Sequence, residues 1–394
     1  MTPGARAGAA IEILDAVIAA ARGGGAAADT LIARYFKERR YAGSRDRRAV
    51  RELVYAAIRR AGEVPESGRA ALAAVAAEDP AVAALFDGAA HAPAPLAPDE
   101  ARAAGGIAPA WLEAALAAAV GPERLAALLD RAPLDLRVNR LKATRADVQN
   151  ALPDARPTPH APHGLRLAGT PAIEASEAFL AGLIEVQDEG SQLVALGCMA
   201  APGMTVVDLC AGAGGKTLAL AADMGGEGRL IACDSDRARL QRLGPRAERA
   251  GASRIATRLL NPGRELDALG DLRDTADVVL VDAPCSGTGT WRRNPEARWR
   301  LTPDRLARLV AMQARLIERG AALVRPGGTL VYAVCSLLDE EGRAQTDRFL
   351  AAHAGWRAAP LPFAAGMPRG AGRRLDPASD GTDGFFVARL ERPC

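Results

Sequence analysis

Two cysteines, Cys285 and Cys335, stand in sequence settings that suit covalent chemistry. Each follows an apolar, strand-like run, residues 278–281 before the first and residues 330–333 before the second. Ligands of open α/β sheets bind where the carboxyl ends of the parallel strands meet, so we expect the two thiols to share a pocket. A thiolate is a strong nucleophile, and such a pocket could form a covalent bond with its substrate.

A glycine-rich loop lies upstream of both cysteines, between a predicted strand and a predicted helix. Its members are Cys210, Ala211, Gly212, Ala213, Gly214, Gly215 and Lys216. The spacing of Gly212 and Gly215 does not match the Gly-x-x-x-x-Gly-Lys-Ser/Thr pattern of nucleoside triphosphate loops. Asp234 follows about 20 residues later, at the end of the next strand, where an acid accepts hydrogen bonds from ribose hydroxyls. The loop and the acid together fit S-adenosylmethionine as well as a dinucleotide.

Lys216 stands out against the basic composition of the chain. Of 50 basic residues only three are lysines, at positions 37, 142 and 216, and all others are arginines. An ammonium group is compact, whereas a guanidinium is a wide planar fork. A lysine in this loop therefore indicates a site that needs a small, localised positive charge; an ordinary lysine at a helix start is the alternative.

The composition is that of a soluble globular protein, with 49% hydrophobic and 25% charged residues. The 394 residues are enough for roughly two or three domains. We expect no membrane association, because no run of 18 apolar residues occurs. The first residues do not form a signal-peptide core, so we expect a cytoplasmic protein.

The charge distribution and the cysteine content limit the kinds of ligand and partner that we expect. Residues 34–60 hold ten basic and three acidic side chains, which suits a phosphate-binding face, although a solvated helix face has the same pattern. The six cysteines include no Cys-x-x-Cys pair, so we expect no metal site. We expect Cys198, Cys233 and Cys394 to be buried, inert thiols.

The hydrophobic periodicity divides the chain into three predicted domains. Residues 1–105 are a helical domain with a proline-rich connector, with helices over 9–21, 28–40 and 44–61. Residues 106–184 are a small mixed α/β subdomain with a helix over 111–129 and a strand over 134–139. Residues 185–394 alternate strands and helices, which is typical of an α/β, doubly wound parallel sheet. The predicted strands of this last domain are 205–209, 229–233, 276–281, 329–334 and 385–390.

Three segments resemble the signature segments of the Sun/RsmB family of RNA 5-methylcytosine methyltransferases. They are residues 209–217, 282–289 and 332–336, and the resemblance extends over roughly 107–392. Residues 9–60 are similar to the NusB-like RNA-binding domain of the bacterial ribosomal branch. The resemblance implies a Rossmann-like methyltransferase sheet, S-adenosylmethionine as cofactor and RNA as partner.

The resemblance also implies a role for each site residue. Cys335 is the nucleophile that adds to carbon 6 of cytosine, and Cys285 assists proton removal and product release. From their charges we further expect Asp282 to stabilise the protonated intermediate and Lys216 to supply positive charge near the thiols. The implied cofactor-binding residues are Cys210, Ala211, Gly212, Ala213, Gly214, Gly215, Lys216, Asp234, Asn261 and Asp282. Two positions depart from the family pattern, since Val334 replaces a threonine and Asn261 an acid.

These observations lead to one expected function and several alternatives. We expect an S-adenosylmethionine-dependent RNA cytosine-C5 methyltransferase that acts as a monomer on small-subunit ribosomal RNA. Transfer RNA as the substrate and a non-catalytic RNA-binding assembly factor remain alternatives. An amino-group methyltransferase is disfavoured, because Ala283-Pro284-Cys285 is not the Pro-Pro-aromatic motif of those sites. Trp291 and Trp299 could stack on RNA bases or pack in a core.

Overall fold

The computed structural model describes residues 1–169 and 171–394. The chain folds into two compact units. The helical unit comprises Met1–Arg131 and Thr290–Pro303, and the sheet unit comprises Ala132–Gly289 and Asp304–Cys394. The domain boundaries predicted at residues 105 and 184 stay a prediction.

The helical unit contains α1 (Pro3–Gly23), α2 (Ala28–Glu38), α3 (Ser44–Arg60), α4 (Gly68–Ala76), α5 (Pro80–Ala83) and α6 (Ala110–Val120). The three helices predicted in residues 9–61 are confirmed as α1, α2 and α3. α1 begins after Thr2, whose hydroxyl accepts the Ala5 N–H, with Pro3 at its first position. The single helix predicted over 111–129 is wrong. Gly121 has a φ of 91°, which ends α6, and a 3₁₀ segment follows over Pro122–Leu129.

The segment Thr290–Pro303 completes the core of the helical unit. Trp299 packs with the apolar faces of the helices, and its indole N–H donates to the carbonyl of Ala61. The guanidinium of Arg298 donates to the carbonyls of Ile58 and Ala61 at the end of α3, where helix carbonyls lack partners. Trp291 is also fully buried. The interpretation of both tryptophans as RNA-stacking platforms is therefore wrong, and their role is core packing.

The first part of the sheet unit is a small antiparallel sheet. It is formed by β1 (Leu134–Val138), β2 (Arg156–Pro157), β3 (Gly164–Leu167) and β4 (Ile184–Val186) in the order β2-β3-β1-β4, with α7 (Arg145–Ala151) and α8 (Glu177–Leu180). The strand predicted over residues 134–139 is confirmed as β1. Its inward side chains, Leu136 and Val138, pack in a core with Leu165 and Ile184.

The main sheet follows along the chain. Its strands are β5 (Thr205–Asp208), β6 (Arg229–Asp234), β7 (Ile255–Leu259), β8 (Ala276–Asp282), β9 (Val324–Val334), β10 (Arg357–Ala359), β11 (Met367–Arg369), β12 (Gly372–Leu375) and β13 (Phe385–Glu391). Its helices are α9 (Glu189–Gly197), α10 (Gly215–Asp223), α11 (Arg237–Gln241), α12 (Leu243–Ala250), α13 (Pro303–Ala321), α14 (Arg343–Ala352) and α15 (Pro377–Asp380).

Five strands of the main sheet are parallel, in the order β9-β8-β5-β6-β7. Alternate residues face opposite sides, as a strand requires. Val206 and Leu280 pack with α9, α10 and α12, whereas Val207 and Val281 pack with α13 and α14. The predicted doubly wound α/β sheet is confirmed. Its last strand differs from the prediction, because β13 runs antiparallel to β9.

Cys198 and Cys233 are buried as expected, but Cys394 is exposed, so the expectation of a buried thiol there is wrong. Among the described residues, no helix has both the length and the apolar character needed to cross a bilayer.

Candidate active site

The carboxyl ends of the five parallel strands carry the predicted site residues. Asp234 ends β6, and Asp282 ends β8, while Asn261 lies two residues beyond the end of β7. Cys335 follows β9 directly, and the glycine loop follows β5. Strand register places Asp282 beside Ala333, two residues before Cys335 in sequence. The structure therefore brings these residues to one edge of the sheet, as the sequence predicts.

Cys285 and Cys335 form a close pair of thiols at this edge. Their Sγ atoms are 3.3 Å apart, within hydrogen-bond distance for sulfur. The pKa of the Cys285 thiol is raised well above its usual value by the hydrogen bond to Cys335, by burial and by the nearby charges of Cys335 and Glu341. Cys285 therefore keeps its proton when Cys335 is a thiolate, and it can donate that proton in a hydrogen bond.

Lys216 and Asp282 form an ion pair beside the thiols. Nζ of Lys216 lies 2.7 Å from Oδ2 of Asp282, and it also lies 5.2 Å from the ring centre of Phe385. Burial lowers the pKa of Lys216, but the charges of Asp282 and Cys335 act in the opposite direction and raise it above the ordinary value. The lysine is therefore a permanent cation whose charge interacts with Cys335.

The glycine loop has a backbone shape that side chains disfavour. Gly212 and Gly214 have φ values of 56° and 86°, in the left-handed region. A Cβ atom at Gly214 would lie 2.2 Å from the side chain of Leu243, so any larger residue would force that side chain to move. Arg246 of the same helix donates to the carbonyl of Ala213 at 2.7 Å. These contacts fix a turn that leads into the first turn of α10.

Asp234 lies directly against this loop. One carboxylate oxygen accepts the N–H of Gly212 at 2.7 Å, and the other accepts the N–H of Asp236 at 2.7 Å. A carboxylate has about four acceptor positions, so hydroxyl donors can still bind there. Asn261 is exposed beyond the neighbouring strand. A glycine turn, a carboxylate with free acceptor capacity and an adjacent amide fit a nucleoside-containing cofactor such as S-adenosylmethionine.

Two titratable groups at the end of β5, the thiol of Cys210 and the carboxyl of Asp208, have raised pKa values. Burial raises the pKa of the Cys210 thiol well above its usual value, so this thiol is no competing nucleophile. Burial also raises the pKa of Asp208 to about 7, although the Thr217 hydroxyl donates to its Oδ2 at 2.7 Å. Asp208 therefore titrates near neutral pH.

Glu341, a fully buried carboxylate behind the thiols, is not among the residues predicted from the sequence. Its Oε1 accepts the N–H of Ser286 at 2.8 Å and the side-chain amide of Gln313 at 2.9 Å. Its Oε2 accepts the hydroxyls of Ser286 and Ser336. These serines directly follow Cys285 and Cys335. Their recurrence after each cysteine was the signal for a shared partner.

The comparisons with known proteins agree with this geometry. A family model described as "16S rRNA methyltransferase RsmB/F" matches residues 198–391, and one described as "Methyltr_RsmF/B-like, ferredoxin-like domain" matches residues 108–174. A probable ribosomal RNA small subunit methyltransferase B of Synechocystis is 38% identical over 286 residues, which are 68% of this chain and 63% of the relative. A ribosomal RNA small subunit methyltransferase B of Xanthomonas campestris is 35% identical over 297 residues, 72% of this chain and 66% of the relative.

The match thus spans less than two thirds of each curated relative. Among solved structures, the crystal structure of PH0851 is similar to this chain with a TM-score of 0.78 and 25% identity. That similarity covers 100% of this chain and 99% of the other. The matched segments include the glycine loop and both cysteines, and the chain therefore belongs to the RsmB/F methyltransferase family.

Proposed function

We propose that the protein transfers a methyl group from S-adenosylmethionine to carbon 5 of a cytosine in RNA, with small-subunit ribosomal RNA as the substrate. The observation that carries this proposal is the pair of thiols 3.3 Å apart beside a glycine loop at the carboxyl edge of the sheet. The names of the two curated relatives support the choice of substrate. We further propose that the protein acts as a monomer in the cytoplasm.

The cofactor has a defined place in this proposal. S-adenosylmethionine, when bound, supplies an electrophilic methyl group on a sulfonium. We propose that the turn at Gly212 and Gly214 leaves room for it, that Asp234 accepts hydrogen bonds from its ribose, and that Asn261 and Asp282 border it. The remaining predicted loop residues, Cys210, Ala211, Ala213, Gly215 and Lys216, line the same turn.

The two cysteines divide the chemistry on the base. Carbon 5 of cytosine is a poor nucleophile, because reaction there disrupts the aromatic ring. Addition of the Cys335 thiolate to carbon 6 forms a C–S bond and moves an electron pair toward carbon 5, which can then accept the methyl group. Cys285 then removes the proton from carbon 5. That C–H electron pair restores the C5–C6 double bond, the C–S bond breaks, and its electron pair leaves with Cys335 as thiolate.

The interaction between the two thiols sets the order in which Cys335 and Cys285 act in this cycle. Before attack, the hydrogen bond and charge of Cys335 keep the proton on Cys285. Once Cys335 has bonded to carbon 6 as a thioether, its hydrogen bond with Cys285 is weakened and its negative charge is gone, so both contributions of Cys335 to the raised Cys285 pKa diminish. Cys285 can then lose its proton to solvent and serve as the base. Asp282, held by Lys216, is proposed to stabilise the protonated ring of the intermediate.

We propose that the helical unit contributes RNA affinity, as a NusB-like domain would. Its basic cluster extends over α2 and α3, and Arg45 and Arg48 in it are exposed. Phosphate contacts position a nucleic acid without selecting a sequence. The choice of target cytosine therefore depends on the site at the sheet edge and on the shape of the RNA around it.

Bisulfite sequencing of ribosomal and transfer RNA from a deletion strain tests the proposal. One cytosine of the small-subunit RNA should lose its protection in the deletion strain. A plasmid with the wild-type gene should restore protection, and the Cys335→Ala variant should not. Loss confined to a transfer RNA would replace the substrate, and unchanged RNA in all strains would favour a non-catalytic assembly factor.

A further inference from the structure

Glu341 joins the two loops that carry the cysteines. The first loop continues from Cys285 into Ser286, and the second from Cys335 into Ser336. One carboxylate oxygen accepts both serine hydroxyls, and the Ser286 N–H binds the other oxygen at 2.8 Å. Along the chain the two loops are separated by α13 and β9. The Glu341 side chain is therefore a direct link between two segments that are distant in sequence.

The surroundings of Glu341 supply hydrogen-bond donors to both of its oxygens. Gln313, on α13, donates to Oε1 of Glu341 at 2.9 Å and to the carbonyl of Pro284, also at 2.9 Å. A carboxylate is acceptor-only and can take the two hydroxyls, the backbone N–H and the amide at once. Hydrogen bonds to a charged acceptor are shorter and stronger than neutral ones. The carboxylate is therefore suited to hold both loops at a fixed separation.

A second set of contacts fixes the same loops near the thiols. The Thr288 hydroxyl accepts the Leu337 N–H at 2.9 Å, and the N–H of Gly289 donates to the carbonyl of Cys335 at 3.1 Å. The phenol of Tyr332, on β9, donates to the backbone carbonyl of Glu341. Glu341 is thus anchored through its backbone on β9, while its side chain binds both loops.

We infer that Glu341 is a positioning residue that holds the Cys285 and Cys335 thiols at the separation which the covalent cycle needs. The link to catalysis rests on the proposed function, whereas the effect on thiol geometry does not. The buried charge has a second consequence for the same pair. It adds to the influences that raise the pKa of Cys285.

Oxidation of the thiol pair measures this geometry without RNA or cofactor. Diamide, an azo-dicarboxamide oxidant, joins two thiols to a disulfide, and its azo group takes up the two electrons and two protons. Two sulfurs in contact should react fast, since their effective concentration is high. The Cys285–Cys335 disulfide is quantified in digests by mass spectrometry, which separates it from the other thiols.

The variants are Glu341→Ala, Glu341→Gln and, as a control, Glu340→Ala, which changes an exposed neighbouring acid. We expect Glu341→Ala to slow disulfide formation about tenfold or more, because four donors lose their common acceptor. Glu341→Gln should retain most of the rate, since the serine hydroxyls can rotate and accept from its amide. Glu340→Ala should match the wild type.

Glu341→Gln also separates charge from geometry. Because the pair keeps its spacing but loses the buried negative charge, alkylation of Cys285 by iodoacetamide should begin at lower pH than in the wild type. If Glu341→Ala fails to fold, the double variant Ser286→Ala and Ser336→Ala removes the two hydroxyls instead and should slow oxidation similarly.

Wild-type oxidation rates in folded Glu341→Ala, or in the folded serine double variant, would overturn the positioning role. If alkylation of Cys285 has the same pH dependence in Glu341→Gln as in the wild type, the proposed role of the Glu341 charge is overturned. Neither result would bear on methylation itself. Conversely, unmethylated RNA targets together with slowed oxidation would overturn the proposed function and leave the positioning role intact.

Discussion

Lys216, in the first turn of α10, donates a hydrogen bond of 2.7 Å to Asp282, the last residue of β8. The ion pair therefore joins the loop proposed to hold the cofactor to the strand that leads to Cys285. The Asp282 side chain remains 26% exposed, so a ligand can still reach it, whereas that of Lys216 is 12% exposed. Ligand binding at the glycine loop should therefore affect the segment that carries Cys285 through this contact, and the reverse should also hold.

Removal of the lysine charge should slow the reaction of the nucleophile. Lys216 is close enough to Cys335 for their charges to interact, so Lys216→Gln should reduce the rate of Cys335 alkylation at neutral pH roughly tenfold, equivalent to about 1.4 kcal/mol. Lys216→Arg keeps the charge and should have a smaller effect. The measurement is the rate of iodoacetamide modification of Cys335 by mass spectrometry. Equal rates in both variants and the wild type would remove Lys216 from this role.

The two cysteines should have opposite mutant phenotypes. Cys335→Ala should abolish methylation and any covalent complex with RNA, because the nucleophile of the proposed cycle is gone. Cys285→Ala should permit attack and methyl transfer but stall proton removal, and a protein–RNA adduct that survives denaturing electrophoresis should accumulate. The double variant should trap nothing. An adduct from Cys335→Ala alone would exchange the two roles.

Asp234 should contribute directly to cofactor affinity. Asp234→Ala removes an acceptor for ribose hydroxyls and releases the N–H of Gly212, so S-adenosylmethionine binding should weaken by on the order of 1.5–3 kcal/mol. Asp236→Ala, which changes the adjacent helix cap, is the control and should have a smaller effect. Isothermal titration calorimetry measures both. Unchanged affinity in Asp234→Ala would exclude a ribose contact.

The basic cluster of α3 should act through charge alone. Arg45→Gln with Arg48→Gln should weaken RNA binding and reduce the slope of log affinity against log salt by roughly one unit for each phosphate interaction removed. Arg47 is left intact because it donates to the Ala42 carbonyl and so supports the fold. Arg264→Gln, an exposed change in the sheet unit, is the control. A salt slope equal to the wild type would make the cluster an ordinary solvated helix face.

Asp208 should make the stability of the sheet unit depend on pH. Its pKa is raised from 3.8 to about 7 in the folded chain, chiefly by burial. As pH rises above 3.8, only the unfolded state ionises freely, so folding stability falls until about pH 7 and is then constant. Asp208→Asn cannot ionise and should lose less stability between about pH 5 and pH 8, by a few kcal/mol. Urea unfolding of the wild type and of Asp208→Asn at both pH values measures this difference. An equal loss of unfolding free energy in the two proteins would contradict the prediction.

Much of the site could be predicted because its position depends on a simple rule. Apolar runs before Asp234, Asp282 and Cys335 predict strands, and parallel strands bring their carboxyl ends together. The distance between Cys285 and Cys335 depends on loop packing, which no local pattern encodes. The serines after the two cysteines indicate a shared partner, but Glu341 could not be identified as that partner, because the neighbouring Glu340 is chemically identical and only tertiary contacts distinguish them.

The fold shows similar limits. The apolar run of β13 reads the same in either direction, so its antiparallel pairing with β9 was not visible. β7 is not among the strands predicted from the sequence. It is an edge strand with partly exposed side chains, and its Thr257 and Arg258 weaken the apolar signal that identifies buried strands. The break between α6 and the following 3₁₀ segment did have a signal, the Gly121-Pro122 pair, which helical periodicity alone overrode.

The helical unit is discontinuous in sequence, because residues 290–303 belong to it. A gene shortened to begin at residue 132 would still encode Trp299 and Arg298 but none of the helices against which they pack. Such a truncated protein would expose the Trp299 side chain and leave the Arg298 guanidinium without its carbonyl partners, which favours aggregation. Removal of the amino-terminal helices should therefore be combined with replacement of residues 290–303 by a short polar linker.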